Sequence, residues 1–376
     1  MRFIISTQEL NYLIGKLLNV VGQKSAIPIL SNILLEAKNG ELILTATDLT
    51  VGIRCFTETK ILEEGATTLP AKRFAQLVRE LTALNVEVST NQHQVTEIVS
   101  GSSRFKMHGM SRDEFPNLPI IHDAKQFNIQ QGELKELLLR TSFAVSREDN
   151  RYVLTGVFLS LSGNQATFVG TDGKRLAKTF KEIESNQSLT GNYIIPLKAV
   201  EEIIKNLTND NEMASFFLYE DKIAVQSSDS IVITKLLEGD YPDVDRVIPE
   251  RPETIVTLHR EELITLLRQI SLFTSDNTHS VRFTFSDDEL MLTANTMEIG
   301  EGLVKMPVNY RGDKLEIAFN PNYFLDILRH SKSEAVKMGL IDGFNPGVIT
   351  DESQQPILSE RPSPLYVLMP MRLGEE

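Results

Sequence analysis

Leu42-Ile43-Leu44-Thr45-Ala46-Thr47-Asp48 returns as Ala166-Thr167-Phe168-Val169-Gly170-Thr171-Asp172 and again as Leu290-Met291-Leu292-Thr293-Ala294-Asn295. Each copy is an apolar strand running into a turn residue. Asp48 and Asp172 lie 124 positions apart, Asp172 and Asn295 lie 123 apart. A second landmark keeps the period: Thr67-Thr68-Leu69-Pro70-Ala71-Lys72, Tyr193-Ile194-Ile195-Pro196-Leu197-Lys198 and Ile317-Ala318-Phe319-Asn320-Pro321, with prolines 126 and 125 positions apart. A third is an opening strand followed by an amphipathic helix, near Phe3, Phe127 and Ile255. Three separate landmarks with one period mean one supersecondary unit written three times.

Each repeat is predicted to hold two helices with alternating strands between and after them. The first helices are expected from a Thr7 cap to about Val21, from about Gly132 to Phe143, and from Arg260 to Leu272. The second helices are expected to start at Pro70, Pro196 and Pro321, because a first-turn N–H needs no intrahelical partner. Phe74, Leu77, Val78 and Leu81 share a helical face, while Leu218–Gln226 and Ser280–Phe285 alternate as strands. Asn39-Gly40, Ser162-Gly163-Asn164 and Asp287-Asp288 read as tight turns. Proline and charge break the pattern at Phe115–Lys125 and Tyr241–Pro252. The expected organisation is three copies of one α+β domain, over 1–122, 123–248 and 249–376.

Length agrees, since 376 residues exceed what one ordinary core organises. The composition, 41 % hydrophobic and 24 % charged, is that of a globular chain and excludes disordered or collagenous classes. No apolar run reaches the length of a membrane span. Met1–Ser6 reads as a strand and not as a secretory signal. The single cysteine, Cys55, excludes an internal disulfide framework or a thiolate metal cage. A reducing cytoplasm is the expected location.

Net charge is −13, which alone argues against wrapping nucleic acid. The distribution qualifies the sum: the six predicted helices together carry +3 and the remainder −16. On the helix after Pro70, Lys72, Gln76 and Arg79 lie opposite the apolar face. Charge alone leaves two readings open, an ordinary solvated helix or a surface tracking phosphates without reading bases. Repetition likewise leaves two designs, a multidomain cytoplasmic enzyme with an inter-domain small-molecule site or a scaffold without a catalytic constellation. The residues favour the scaffold. His93, His108, His122, His259, His279 and His330 show no metal-ligand spacing, and His259-Arg260-Glu261-Glu262 reads as a helix start. Thr171-Asp172-Gly173-Lys174-Arg175 lacks the Walker A pattern and reads as a hairpin turn. Cys55 reads as a packed strand residue. No catalytic residue, metal site or cofactor is expected.

Several segments carry a family resemblance: Ile27-Pro28-Ile29-Leu30, Leu69-Pro70-Ala71-Lys72-Arg73-Phe74, Arg104-Phe105, Phe115-Pro116-Asn117-Leu118, Thr171 to Ala177, Tyr241-Pro242-Asp243 with Arg246-Val247, Phe319-Asn320, and Tyr366-Val367-Leu368-Met369-Pro370-Met371-Arg372-Leu373. In this order and spacing the chain resembles the bacterial sliding clamps, the DNA polymerase III beta subunits, over essentially its whole length. The resemblance implies a DNA clamp fold of three similar domains, each with two helices on antiparallel sheets. It implies a head-to-tail ring homodimer that encircles duplex DNA without sequence specificity. It further implies tethering of the replicative polymerase alpha subunit, the clamp loader and other clamp-binding proteins, and no membrane partner.

For DNA the resemblance points to Lys24, Arg73, Glu148, Tyr152 and Val153, with Arg147 and Arg151 as neighbouring cations. For a partner-peptide cleft it points to Leu154, Thr171, Gly173, Lys174, Arg175, Leu176, Pro242, Arg246, Val247, Asn320, Tyr323, Pro346, Val367, Met369, Pro370, Met371 and Arg372. Lys174 stands where histidine is frequent in the family, and Pro346 where smaller polar residues occur. Aliphatic walls and adaptable methionines suit short peptides with leucine and phenylalanine anchors. Met369 and Met371, alternating on a terminal strand, fit a plain core strand equally well.

Overall fold

The computed structural model describes residues 1–22, 27–119, 121, 124–184, 188–249, 252–275, 279–352 and 363–372, apart from the side chains of 149 and 150. His122 and Leu373 lie outside the described residues.

The first repeat runs β1 (Arg2–Ser6), α1 (Thr7–Leu17), β2 (Asn32–Lys38), β3 (Glu41–Thr47), β4 (Val51–Glu58), β5 (Lys60–Glu63), β6 (Gly65–Pro70), α2 (Ala71–Glu80), β7 (Asn85–Thr90), β8 (Val95–Ser100) and β9 (Ser103–His108). The second runs β10 (Lys125–Gln130), α3 (Gln131–Ser142), β11 (Gly156–Gly163), β12 (Gln165–Thr171), β13 (Arg175–Glu182), β14 (Leu189–Pro196), α4 (Leu197–Asn206), β15 (Met213–Leu218), β16 (Lys222–Gln226) and β17 (Ser230–Lys235). The third runs β18 (Thr254–His259), α5 (Arg260–Ser271), β19 (Val281–Ser286), β20 (Glu289–Thr296), β21 (Gly300–Pro307), β22 (Leu315–Phe319), α6 (Pro321–His330), β23 (Ala335–Leu340), β24 (Gly347–Asp351) and β25 (Leu365–Leu368).

Local details differ from the sequence reading for identifiable reasons. Ser6, not Thr7, caps α1 through its side chain, and the helix stops at Leu17. Pro70 and Pro196 stand just before α2 and α4, whereas Pro321 opens α6 behind an Asn320 cap. The run 218–226 is two strands, because Tyr219 to Asp221 turn between β15 and β16. Asn39-Gly40 and Asp287-Asp288 do turn, with all four residues at positive φ. Lys332 falls beyond the end of α6 at His330, which lowers the helical charge to +2.

Sheet topology organises the repeats. The strands form four antiparallel sheets, ordered β5-β1-β7-β8-β9, β10-β15-β16-β17-β4-β3-β2-β6, β14-β11-β12-β13-β25-β24-β23-β18 and β21-β20-β19-β22. Each repeat thus contributes two half-sheets. The half-sheet ending in β17 joins the first repeat through β4, with Cys55 opposite Ser230. The half-sheet ending in β25 joins the second through β13, with Arg175 opposite Leu368. The chain accordingly divides into two compact units, one of 1–135, 183–189 and 195–236, the other of 136–182, 190–194 and 237–376.

In the first unit, α1 packs on α2, burying Leu10, Leu13, Ile14, Phe74 and Val78. A part-buried ion pair joins α1 to the turn between β16 and β17: Lys16 Nζ donates to both oxygens of Asp229, at 2.6 and 2.7 Å, and Tyr12 Oη donates to the same carboxylate at 3.0 Å. In the second unit α5 packs on α6, over a core in which Phe283 stacks on Phe324 and meets Phe319 edge-on. Arg140, 124 positions after Lys16, repeats the pairing by meeting Glu136 at 2.9 Å and Asp351 at 3.4 Å.

Candidate functional site

The β12–β13 turn is built by its own short side chains. Thr171 Oγ1 donates to the Arg175 carbonyl at 2.6 Å and accepts the Gly173 N–H at 3.0 Å. The Asp172 carboxylate accepts the N–H groups of Lys174 and Arg175 at 2.9 and 3.0 Å. Thr47 and Asp48 make the same bonds to Leu49, Thr50 and Val51, so the recurring Thr-Asp pair is a turn-forming device. The two turns then diverge. Leu49 takes φ +76° where Gly173 takes +83°. A Cβ at Gly173 would also lie 2.2 Å from Arg151 Nη1, which donates to the Asp172 carbonyl at 2.9 Å. Glycine at 173 thus avoids the backbone strain that Leu49 bears at the equivalent position and leaves room for the end of the Arg151 side chain.

Arg175 fastens this turn to two other elements. Its Nε reaches Asp172 at 3.1 Å, Nη1 reaches Asp326 on α6 at 2.7 Å, and Nη2 reaches the Phe143 carbonyl at 2.8 Å. The guanidinium lies 4.6 Å from the Tyr323 ring centre and 5.5 Å from that of Phe143, and its side chain is 11 % exposed. The next residue, Leu176, turns into an apolar cluster with Val169, Val348, Leu365 and Val367. Tyr241, Val244 and Ile248 pack against that cluster, with Pro242, Arg246 and Val247 exposed beside them.

The terminal strand completes the surroundings. Leu176 pairs with Val367, Met369 N–H donates to the Lys174 carbonyl at 3.0 Å, and Met371 N–H donates to Ala318 at 2.7 Å. Leu365 to Leu368 are buried, but Met369, Pro370 and Met371 are half-buried and Arg372 is exposed. The methionines therefore belong to an accessible rim and not to a closed core strand. Asn320 and Tyr323 are half-buried at the start of α6, Pro346 is half-buried before β24, and Leu154 is buried at the end of the 149–155 segment. The expected peptide-cleft residues thus all fall within the second unit, and backbone bonds link the 171–176 turn to the terminal strand.

Three further residues of the second unit escaped the sequence reading. Asp326 is three positions from Tyr323 on α6, a spacing that signals one helical face. Phe143 stacks on His330 at 4.2 Å while supplying the carbonyl that Arg175 binds. Phe344 is 84 % exposed, in a turn where the Asp342 carboxylate accepts the Phe344 and Asn345 N–H groups, each at 2.7 Å. Those bonds hold the Asp342 carboxyl below its ordinary range.

The described residues proposed for DNA are divided between the two units. Lys24 lies outside the described residues. Arg73 is exposed on α2 in the first unit, beside Lys72. Glu148 and Tyr152 are exposed and Val153 half-buried in the second unit, where Val153 packs by Gly239. Arg151, read as a further cation for DNA, instead directs its guanidinium to the Asp172 carbonyl. Among the described residues no group of three His, Cys, Asp or Glu could hold a metal, and no helix is long and apolar enough to cross a membrane. Cys55 is buried, and burial pushes its thiol up to about 12, so it is protonated at neutral pH.

Repeated half-sheets, exposed cationic side chains on α2 and an accessible apolar rim agree with the DNA clamp fold that the sequence resemblance implies. Comparison with known proteins gives the family. Models of the DNA polymerase III beta subunit match in its N-terminal domain over residues 1–119, its central domain over 128–243 and its C-terminal domain over 245–372. The chain is 51 % identical to the beta sliding clamp of Chlamydia pneumoniae over the full length of both, and 32 % identical to that of Escherichia coli K12 over 99 % of this chain and 100 % of that one. Among solved structures it superposes on the Pseudomonas aeruginosa DnaN sliding clamp bound to griselimycin with TM-score 0.93 at 28 % identity, covering 99 % of this chain and all of that one. The Bacillus subtilis DNA polymerase sliding clamp also gives 0.93, at 25 % identity with complete coverage of both. The chain belongs to the DNA polymerase III beta subunit family, the beta sliding clamps. It is a clamp for DNA replication, in a family of non-catalytic processivity factors for which a dimeric ring is typical.

Proposed function

We propose that two copies of this chain close head to tail around duplex DNA in the cytoplasm. The cleft of the second unit then receives leucine- and phenylalanine-anchored segments of the replicative polymerase alpha subunit, the clamp loader and other clamp-binding proteins. The observation that carries the ring is the strand-pairing rule. Within the chain, β4 takes β17 and β13 takes β25, which leaves their repeat equivalents, β21 and β9, as sheet edges. Exposed edges with apolar side chains invite pairing with another chain. Pairing β21 of one copy with β9 of the other satisfies the rule at both ends and closes without an open terminus.

The chemistry supports that pairing. β9 exposes Arg104, Phe105 and Lys106, whereas β21 and the turn before it expose Glu298, Ile299, Glu301 and Leu303. The one cation on β21, Lys305, is held by Glu289 at 2.8 Å. Inside such a ring, Lys24 and Arg73 would meet phosphates without base-specific bonds that trap the protein at one sequence, and Tyr152, Glu148 and Val153 would lie along the duplex without pairing to phosphate. The domain limits 1–122, 123–248 and 249–376 form part of the same proposal. Sedimentation equilibrium tests it: Lys106→Glu should shift the population towards monomer, and Glu301→Lys in the partner copy should restore the dimer. A Lys106→Glu/Phe105→Ala variant that remains fully dimeric refutes the assigned edge.

A further inference from the structure

Arg175 carries the family's expectation of a cleft residue that touches the bound peptide. Its geometry leaves little capacity for that task. Nε, Nη1 and Nη2 are each directed to a separate acceptor, from the β12–β13 turn, from α6 and from the end of α3. The Tyr323 and Phe143 rings lie near the guanidinium, and the side chain is nearly buried. A planar donor engaged at three points fixes the elements that supply its acceptors.

We propose that Asp326 is a positioning residue for peptide binding, acting through Arg175 to set the spacing between the α6 side of the cleft and its turn side. Asn320 and Tyr323 lie on the α6 side; Gly173, Lys174 and Leu176 lie on the turn side. The two acids around Arg175 differ in a way that isolates this role. Asp172 also accepts two backbone N–H groups, so its removal dismantles the turn itself. Among the described residues the Asp326 carboxylate accepts no backbone N–H; its second oxygen takes Arg329 Nη1 at 3.0 Å on the same helix. Among the described residues, Asp326 is thus linked to the turn through the Arg175 guanidinium.

The first unit shows that a helix-to-turn ion pair recurs while its polarity does not. There Val51 occupies the place of Arg175, and Lys198 on α4 bonds the Asp48 carboxylate directly. With the cation on the strand, the acid on the helix and Gly173 in the turn, the second unit keeps Arg175 beside Tyr323. This role rests on the cleft reading above.

The test measures binding of a fluorescein-labelled peptide bearing Leu and Phe anchors, by anisotropy, to the full chain. Asp326→Asn should weaken binding about tenfold, as loss of one charge-assisted bond at a shared support implies, and Asp326→Glu should recover most of it. In an Arg175→Met background, Asp326→Asn should have no further effect. Wild-type affinity in Asp326→Asn, or an undiminished effect without Arg175, overturns the proposal. Leu176→Asp and Met369→Ala separate the two readings: if neither weakens the peptide, the cleft itself is misplaced; if both do while Asp326→Asn does not, only the positioning role fails.

Discussion

The Lys16–Asp229 pair gives the sharpest stability prediction because its partners are unequally buried. The Lys16 side chain is 5 % exposed and that of Asp229 28 %. Asp229→Ala removes the ion-pair partner of the Lys16 ammonium and leaves that charge in the interior, with the Tyr12 ring centre 4.8 Å away. Removing one member of a buried pair costs about 3–5 kcal/mol. The partial exposure of Asp229 puts this case at about 3 kcal/mol, since water reaches the vacated site. Lys16→Met keeps the packed stem and leaves a carboxylate in contact with solvent and Tyr12, at a cost of about 1 kcal/mol. Removing both charges should cost little more than Lys16→Met alone, because no charge is left unpaired. At about 2–4 °C per kcal/mol, Asp229→Ala should lower the unfolding midpoint of its unit by about 6–12 °C. Calorimetry on the wild type, both single variants and the double variant closes the cycle. Equal single-variant costs, or a double variant equal to their sum, would refute this account of the pair.

Other outcomes follow from the same contacts. Burial alone would raise the carboxyls of Asp229 and Asp48, but Lys16 at the first, and Lys198 with two backbone N–H groups at the second, hold both below 3.8. Their stabilisation is present above that value and is lost as pH falls through the lowered values, so acid unfolding monitored by circular dichroism should be shallower below pH 4 in Asp229→Asn. Gly173→Ala places a Cβ against Arg151 at positive φ; it should cost about 1 kcal/mol and weaken peptide binding, with wild-type anisotropy curves as the contrary result. Cys55 should resist iodoacetamide at pH 8 in the native protein and react once urea unfolds it, read by mass spectrometry. Phe344→Ala should weaken peptide binding several-fold if its exposed ring contacts the ligand; calorimetry showing no change would restrict the site to the 171–176 turn and terminal strand.

The threefold repeat was legible because its marks are local. Thr-Asp followed by two residues builds its own turn in the first two repeats, with Asn295 at the matching place in the third. A proline at or just before a helix start recurs in all three at the same period. Sheet sharing was not legible. Nothing near Cys55 announces that Ser230 will lie opposite, because antiparallel pairing between distant strands leaves only a period-two pattern in each. The end of α1 and the split at Tyr219–Asp221 failed for a related reason, in that apolar residues continue beyond the point where the backbone turns. The proposed cleft was reached through resemblance, not chemistry, as its walls are ordinary aliphatic and methionine side chains. Asp326 and Phe143 had no separate signal, since their importance arises only when Arg175 reaches both.

Retention on DNA of defined topology tests enclosure most directly. The labelled protein, loaded onto nicked circular duplex by its clamp loader, should co-elute with the DNA through gel filtration at salt high enough to screen phosphate contacts. A single cut that linearises the circle should release it. Equal retention on circular and linear molecules would mean that the protein holds DNA by surface contact, and would contradict the ring.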